Sequence, residues 1–122
     1  MERVKIHWGG IYLADLGESK GFIQGGVRPV VVVSNQANNK FAPIVNVLPI
    51  TSSKTKKNMP VHVDIDKECG LLTDSVVLTE QIQTINKTQL LKLICICSED
   101  KMVEIAQAIM LQTQLLDALQ LA

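Results

Sequence analysis

Pro29-Val-Val-Val-Val33 is an unbroken apolar run, entered through Gln24-Gly25-Gly26 and left through the polar stretch Asn35-Gln-Ala-Asn-Asn-Lys40. Valine is β-branched and stiff at χ1, which favours extended backbone. Five residues make a strand and fall far short of the ~18 of a membrane span. With no polar residue alternating through it, such a strand is either buried on both faces or closed into a barrel. The polar stretch after it reads as one helical turn.

The same reading extends in both directions. Gly10-Ile-Tyr-Leu-Ala-Asp-Leu16, bounded by glycines, is a first strand, and residues 18–26 form the loop after it. Ile44-Val-Asn-Val-Leu-Pro-Ile-Thr51 is a further strand in which Pro49, lacking an N–H, marks an edge, a bulge or a bend. Residues 52–59 are a basic loop. Pro60-Val-His-Val-Asp-Ile65 alternates, with Val61, Val63 and Ile65 inward and His62 and Asp64 on the solvent face. Ser75-Val-Val-Leu-Thr79 is another short strand, and residues 81–85 alternate with Ile82 and Thr84 inward. Asn86-Lys-Thr-Gln89 is a capping box that starts a short helix through Leu91. Ile94-Cys-Ile-Cys97 is the last strand.

Ser98 caps a final helix, with Glu99 and Asp100 in its positive first turn. Met102, Ile105, Ala106, Ile109, Met110, Leu116 and Leu119 recur at helical spacing as one apolar stripe, packed on the sheet or on a second subunit. Many short strands with glycine turns and one terminal helix define a mainly β (α+β) fold, a small, partly open barrel with a C-terminal helix.

A chain of 122 residues is expected to be a single domain over 1–122. Hydrophobic residues are 47% and aromatics only 3%, so Val, Ile and Leu build the core. The mixed-charge start, Met1-Glu-Arg-Val-Lys-Ile-His7, has no apolar leader core, which places the expected location in the cytoplasm, with no membrane partner. Net charge is zero, from 12 basic and 12 acidic residues, whereas nucleic-acid binders more often carry a basic excess. The charges are uneven, however: Lys54, Lys56 and Lys57 crowd one loop, and local potential steers a polyanion. The three cysteines, an odd count without a leader, argue against a disulfide framework. Cys95 and Cys97, two apart on one strand face, read as buried thiols rather than as metal ligands.

Neither a phosphate-cradling loop nor a metal motif is present, so no metal or other cofactor is expected. Two features remain. Gly25-Gly26-Val27-Arg28-Pro29 sets an arginine where a glycine turn enters the buried strand. Pro49-Ile50-Thr51-Ser52-Ser53 sets hydroxyls where another strand leaves the sheet. Strand ends beside turns commonly carry function.

These segments resemble the MazF/PemK/Kid toxin family. Gly10-Ile-Tyr12 with Ala14-Asp15-Leu16 and Gln24-Gly25-Gly26-x-Arg28-Pro29-Val30 match its opening. Ser34-Asn35, Asn39-Lys40-Phe41, Pro49-Ile50-Thr51, Leu72-x-x-Asp74-Ser75-Val76-Val77-Leu78 and Glu80-Gln81-Ile82-x-Thr84-Ile85 follow in the family's order. The likeness runs over about residues 9–91 and resumes loosely in the last helix. It implies an SH3-like barrel of the CcdB/PemK kind and a homodimer. It also implies an mRNA interferase, the toxin of a type II toxin–antitoxin pair: a ribosome-independent, metal-independent endoribonuclease that cuts single-stranded RNA at a short sequence. The products would be a 2′,3′-cyclic phosphate and a 5′-hydroxyl, and a cognate antitoxin of the MazE type would fill the RNA groove.

The family's catalytic arginine and threonine match Arg28 and Thr51. Arginine keeps its charge at any working pH and its fork fits two phosphate oxygens. Arg28 is therefore cast as the clamp on the phosphorane, with a proton-carrying role as the alternative, and Thr51 as a hydrogen-bond donor to it. Gln24, Gly25, Ser52, Gln81 and Gln83 are expected to line the RNA groove and read bases, with Lys54, Lys56 and Lys57 on the backbone. Two departures stand out. Phe22-Ile23 replaces the family's usual Ser-Glu, so Phe22 offers a ring for stacking, and Gln83 replaces a basic residue. The competing readings are a CcdB-like toxin that binds gyrase and an SH3-like interaction module without activity.

Overall fold

A computed structural model describes residues 5–52, 59–66 and 69–121. Its strands are β1 (Gly10–Asp15), β2 (Val27–Val32), β3 (Ile44–Ser52), β4 (His62–Ile65), β5 (Ser75–Leu78), β6 (Gln83–Asn86) and β7 (Leu90–Ile96). Its helices are α1 (Gln36–Phe41), α2 (Glu99–Thr113) and α3 (Leu115–Leu121), and single 3₁₀ turns occupy Thr79–Gln81 and Lys87–Gln89. The strands form one antiparallel sheet ordered β4-β5-β3-β2-β1-β7, with β6 also on β3. No pairing joins β4 to β7 among the described residues, so the sheet curls but stays open.

The valine run explains the curl. Val30, Val31 and Val32 are all fully buried, and alternate side chains serve two cores. Val31 joins Ile11, Leu48, Ile50 and Val77 in a core closed by Met102, Ile105 and Ala108 of α2. Val30 and Val32 join Tyr12, Ala14, Val45, Val47 and Ile85 in a second core on the opposite face. β3 is the hub. It pairs with β2 along one edge, and with β6 (Ile44–Val47) and β5 (Ile50–Ser52) along the other. Pro49 falls in the gap between those last two partners, opposite the 3₁₀ turn, where the ladder is already interrupted and a missing N–H costs least.

The local signals mostly act as read. Asn35 caps α1 through the Asn38 N–H at 2.8 Å, and Ser98 caps α2 through the Lys101 N–H at 3.1 Å. The Asn86–Gln89 capping box is formed, although the helix it opens is a single 3₁₀ turn before β7. The motif residues Ser34 and Asn39 make a buried pair of bonds, Ser34 Oγ to Asn39 Oδ1 at 2.6 Å and Asn39 Nδ2 to the Ser34 carbonyl at 2.8 Å, that pins α1 to the sheet.

Four expectations are corrected. Cys69 and Cys95 form a disulfide, because the turn before β5 folds against β7 and brings their Cα atoms to 6.1 Å. Cys97 alone is a free thiol, on the same side of β7 as Cys95. Ile82 and Thr84 are exposed and Ile85 buried, because the 3₁₀ turn at Thr79–Gln81 shifts the inward parity by one residue. The terminal helix is interrupted at Gln114, whose backbone is left-handed at φ 59°. The apolar stripe therefore ends with α2, where Ala108 rather than Ala106 faces inward, and Leu116 and Leu119 stand exposed on α3. The fourth correction, His62, belongs to the site.

Candidate active site

The site is assembled where β2 begins and β3 ends. The β2–β3 ladder pairs Val32 with Val47 and Val30 with Pro49. Two residues further along each strand stand Arg28 and Thr51, on the side of the sheet that Val30 and Pro49 occupy. Both are half-buried, as is Ser52, which faces Ser75 across the β3–β5 ladder.

The loop of residues 17–26 covers this end. It is closed at its base by Leu16 N–H to the Gly26 carbonyl at 2.9 Å and Gly26 N–H to the Gly17 carbonyl at 2.6 Å. Gly26 takes φ +76°, the left-handed turn that only glycine adopts without strain. Gly25 is buried for a different reason: a Cβ there would lie 2.4 Å from the Ser19 backbone nitrogen, so the two chain segments touch. The Gly25 carbonyl accepts a 2.7 Å hydrogen bond from Arg28 Nε. No carboxylate pairs with Arg28 among the described residues, and its terminal nitrogens make no bond to them. A half-buried guanidinium so held has its charge uncompensated and its outer edge available to an anion.

Three of the glutamines expected to line the groove are bonded to one another's segments. Gln81 Oε1 accepts from the Gln24 N–H at 2.7 Å, and Gln81 Nε2 donates to the Phe22 carbonyl at 3.0 Å. Gln83 Nε2 donates to the Gln24 carbonyl at 3.2 Å. Phe22, whose carbonyl is thus fixed, is 95% exposed at the loop tip. Lys54, Lys56 and Lys57 lie outside the described residues.

His62 is not a surface residue. Its side chain is 4% exposed and its Nε2 lies 2.9 Å from Glu80 Oε2, with His62 Nδ1 and Glu80 Oε1 buried and unpartnered among the described residues. Strand alternation assigned His62 to the outward face correctly, but that face is roofed by the turn Thr79–Gln81 and bordered by α2, and periodicity within one strand cannot see a roof made elsewhere. The hydroxyl of Thr79 in the same turn donates to the Val61 carbonyl. Glu80 is thus a structural anchor that sequence reasoning missed.

The description of PemK-like, MazF-like toxins of type II toxin–antitoxin systems fits the chain over residues 7–113. An endoribonuclease MazF of Staphylococcus epidermidis is 45% identical over 105 residues, covering 85% of this chain and 88% of that protein. Among solved structures, the Mycobacterium tuberculosis toxin MazF-mt6 superposes with a TM-score of 0.74 at 25% identity, covering 86% of this chain and 96% of that one. A mycobacterial endoribonuclease in complex with its cognate antitoxin superposes with a TM-score of 0.71 at 24% identity, covering 90% and 94%. With its motifs, its open barrel and a close sequence relative all in agreement, the chain belongs to the family of PemK-like, MazF-like toxins of type II toxin–antitoxin systems.

Proposed function

We propose that the chain, as a single toxin domain, cuts single-stranded RNA at a short sequence, without metal or ribosome, by letting the RNA attack itself. As a MazF-type toxin of a type II toxin–antitoxin system it is an endoribonuclease. In the proposed reaction the 2′-hydroxyl of the nucleotide before the cut attacks its own phosphate, and the 5′-oxygen leaves. A 2′,3′-cyclic phosphate and a 5′-hydroxyl result. Such a step needs no enzyme nucleophile, only alignment and stabilisation of a doubly negative phosphorane. Arg28 supplies a fixed positive fork, and Thr51 a hydroxyl that donates to a phosphate oxygen or the leaving oxygen.

The observation that carries this reading is the Arg28 bond to Gly25: Nε is spent on the protein at 2.7 Å, while the terminal nitrogens make no bond to the described residues and stay available to a phosphate. In this reading Ser52, Gln24, Gly25, Gln81 and Gln83 would border the bound RNA, and Lys54, Lys56 and Lys57 would hold its backbone. Phe22 offers a ring for a splayed base. Inhibition by a cognate antitoxin of the MazE type and action as a homodimer in the cytoplasm complete the reading; the mycobacterial relative is itself an endoribonuclease solved with its antitoxin. No helix among the described residues is long and apolar enough to cross a membrane.

The test is cleavage of a long RNA in excess EDTA, with 5′ ends sequenced. Cutting at a short recurrent sequence is expected, blocked by a 2′-deoxy sugar at the scissile nucleotide and lost in Arg28→Ala with an unchanged melt. Dependence on added metal, or a fully active Arg28→Ala, would reject the mechanism.

A further inference from the structure

We infer that Gln81, on the 3₁₀ turn Thr79–Gln81, and Gln83, at the start of β6, are positioning residues for Arg28 and not readers of RNA bases. This deepens the functional reading and rests on Arg28 acting at the scissile phosphate. The Gln81 side-chain amide offers one acceptor and one donor to the main chain of Gln24 and Phe22, two residues apart. It takes the place that the peptide group of a neighbouring strand would take. Gln83 then caps the Gln24 carbonyl, so the two backbone groups of Gln24 are held from the 3₁₀ turn and from the start of β6. The next carbonyl along, that of Gly25, holds Arg28 Nε, and Gly25 has no room to shift because the Ser19 backbone packs against its Cα.

The support for the glutamines is itself anchored. Thr79 bonds the Val61 carbonyl and Glu80 bonds His62, so two consecutive side chains tie the turn to the start of β4 while the third reaches the loop. Force therefore passes from β4 through the turn to Gln81, to Gln24, to Gly25 and to the guanidinium. A base reader would need its amide free at the groove. Here the Gln81 amide is used at both ends by protein, and releasing it would strand the part-buried Gln24 N–H. A misplacement of about 1 Å at a reacting group costs on the order of 10²-fold in rate.

The experiment compares the full chain with Gln81→Leu, Gln81→Glu and Gln83→Met, each checked by thermal melt. The first readout is independent of catalysis: the Arg28 Nε–H proton in a ¹⁵N NMR spectrum, protected from exchange in the parent protein and exchanging fast in Gln81→Leu. The second is kinetic, with kcat falling roughly 10–100-fold, KM nearly constant and the cleaved sequence unchanged. Gln81→Glu, which keeps the acceptor for Gln24 but loses the donor, recovers part of the rate. In an Arg28→Lys background, which lacks the Nε–H, Gln81→Leu costs much less than in the parent. A changed cleavage sequence with kcat retained, or an Nε–H signal unmoved in Gln81→Leu and Gln83→Met, overturns the inference. Failure of the functional reading looks different: the parent does not cut RNA, while the Nε–H behaves as described.

Discussion

At the scale of single residues, Gly25 carries more of the site than its missing side chain suggests. It is buried, its carbonyl holds Arg28 Nε at 2.7 Å, and any Cβ would meet the Ser19 nitrogen and Cα at 2.4 and 2.6 Å. Both are backbone atoms, so the clash cannot be relieved by turning a side chain. Gly25→Ala must push the loop off Ser19, at a cost of about 1–3 kcal/mol for overpacking. The same displacement moves the carbonyl that aims Arg28. Thermal melts are expected to show that modest loss, while RNA cleavage falls by roughly 10²-fold or more. A Gly25→Ala variant of normal rate would mean the Gly25 carbonyl does not set the guanidinium. The places of Arg28 at the start of β2 and Thr51 at the end of β3 were legible in the sequence because a glycine turn before one strand and a polar stretch after the other are local features. The work of Gln81 and Gln83 was not, because their partners lie 57 to 59 residues away and a glutamine looks the same whether it faces a base or a backbone.

Elements show the same division between local and distant causes. Caps, the capping box and the buried valine strand were readable, since each depends on neighbours within a few residues. The disulfide was not: it joins the turn before β5 to β7 across 26 residues, and cysteine parity carries no information about which strands become adjacent. Nor was the burial of His62, which a turn from another part of the chain provides. Closing a 26-residue loop removes unfolded-state entropy worth about 3–4 kcal/mol in the chain-entropy model. Cys69→Ser, compared with the parent by urea unfolding under non-reducing conditions, is therefore expected to lose stability of that order, and added reductant should bring the parent down to the variant. Equal midpoints without reductant would show the bond absent or idle. Cys97 does not complicate the measurement through rapid exchange. Burial pushes its thiol up from the ordinary value and outweighs Lys101, which pulls the other way, so the attacking thiolate is scarce at neutral pH.

The whole molecule carries zero net charge, 12 basic residues against 12 acidic, and this constrains how it can hold a polyanion. A protein with a broad basic face draws RNA by releasing many counterions, and its affinity collapses with salt. In the proposed function the cations that would meet RNA are few: Arg28 at the start of β2 and Lys54, Lys56 and Lys57 close together in the sequence. On single strands each neutralised phosphate contributes about −0.7 to the slope of log K against log salt, so all four together give a slope no steeper than about −3. Binding of a non-cleavable 2′-deoxy-substituted oligonucleotide, titrated across salt concentrations, should return that shallow slope. Each Lys→Ala in the loop should reduce it by about 0.7 without changing which sequence is preferred, because a phosphate contact positions the strand and does not read it. A slope of twice that size would require a second basic surface, and lysine variants that altered sequence preference would move base reading from the strand-end groove into the loop. The neutral balance thus fits the proposed function: affinity would come from a small set of charges, and selectivity would be left to the uncharged groups around Arg28 and Thr51.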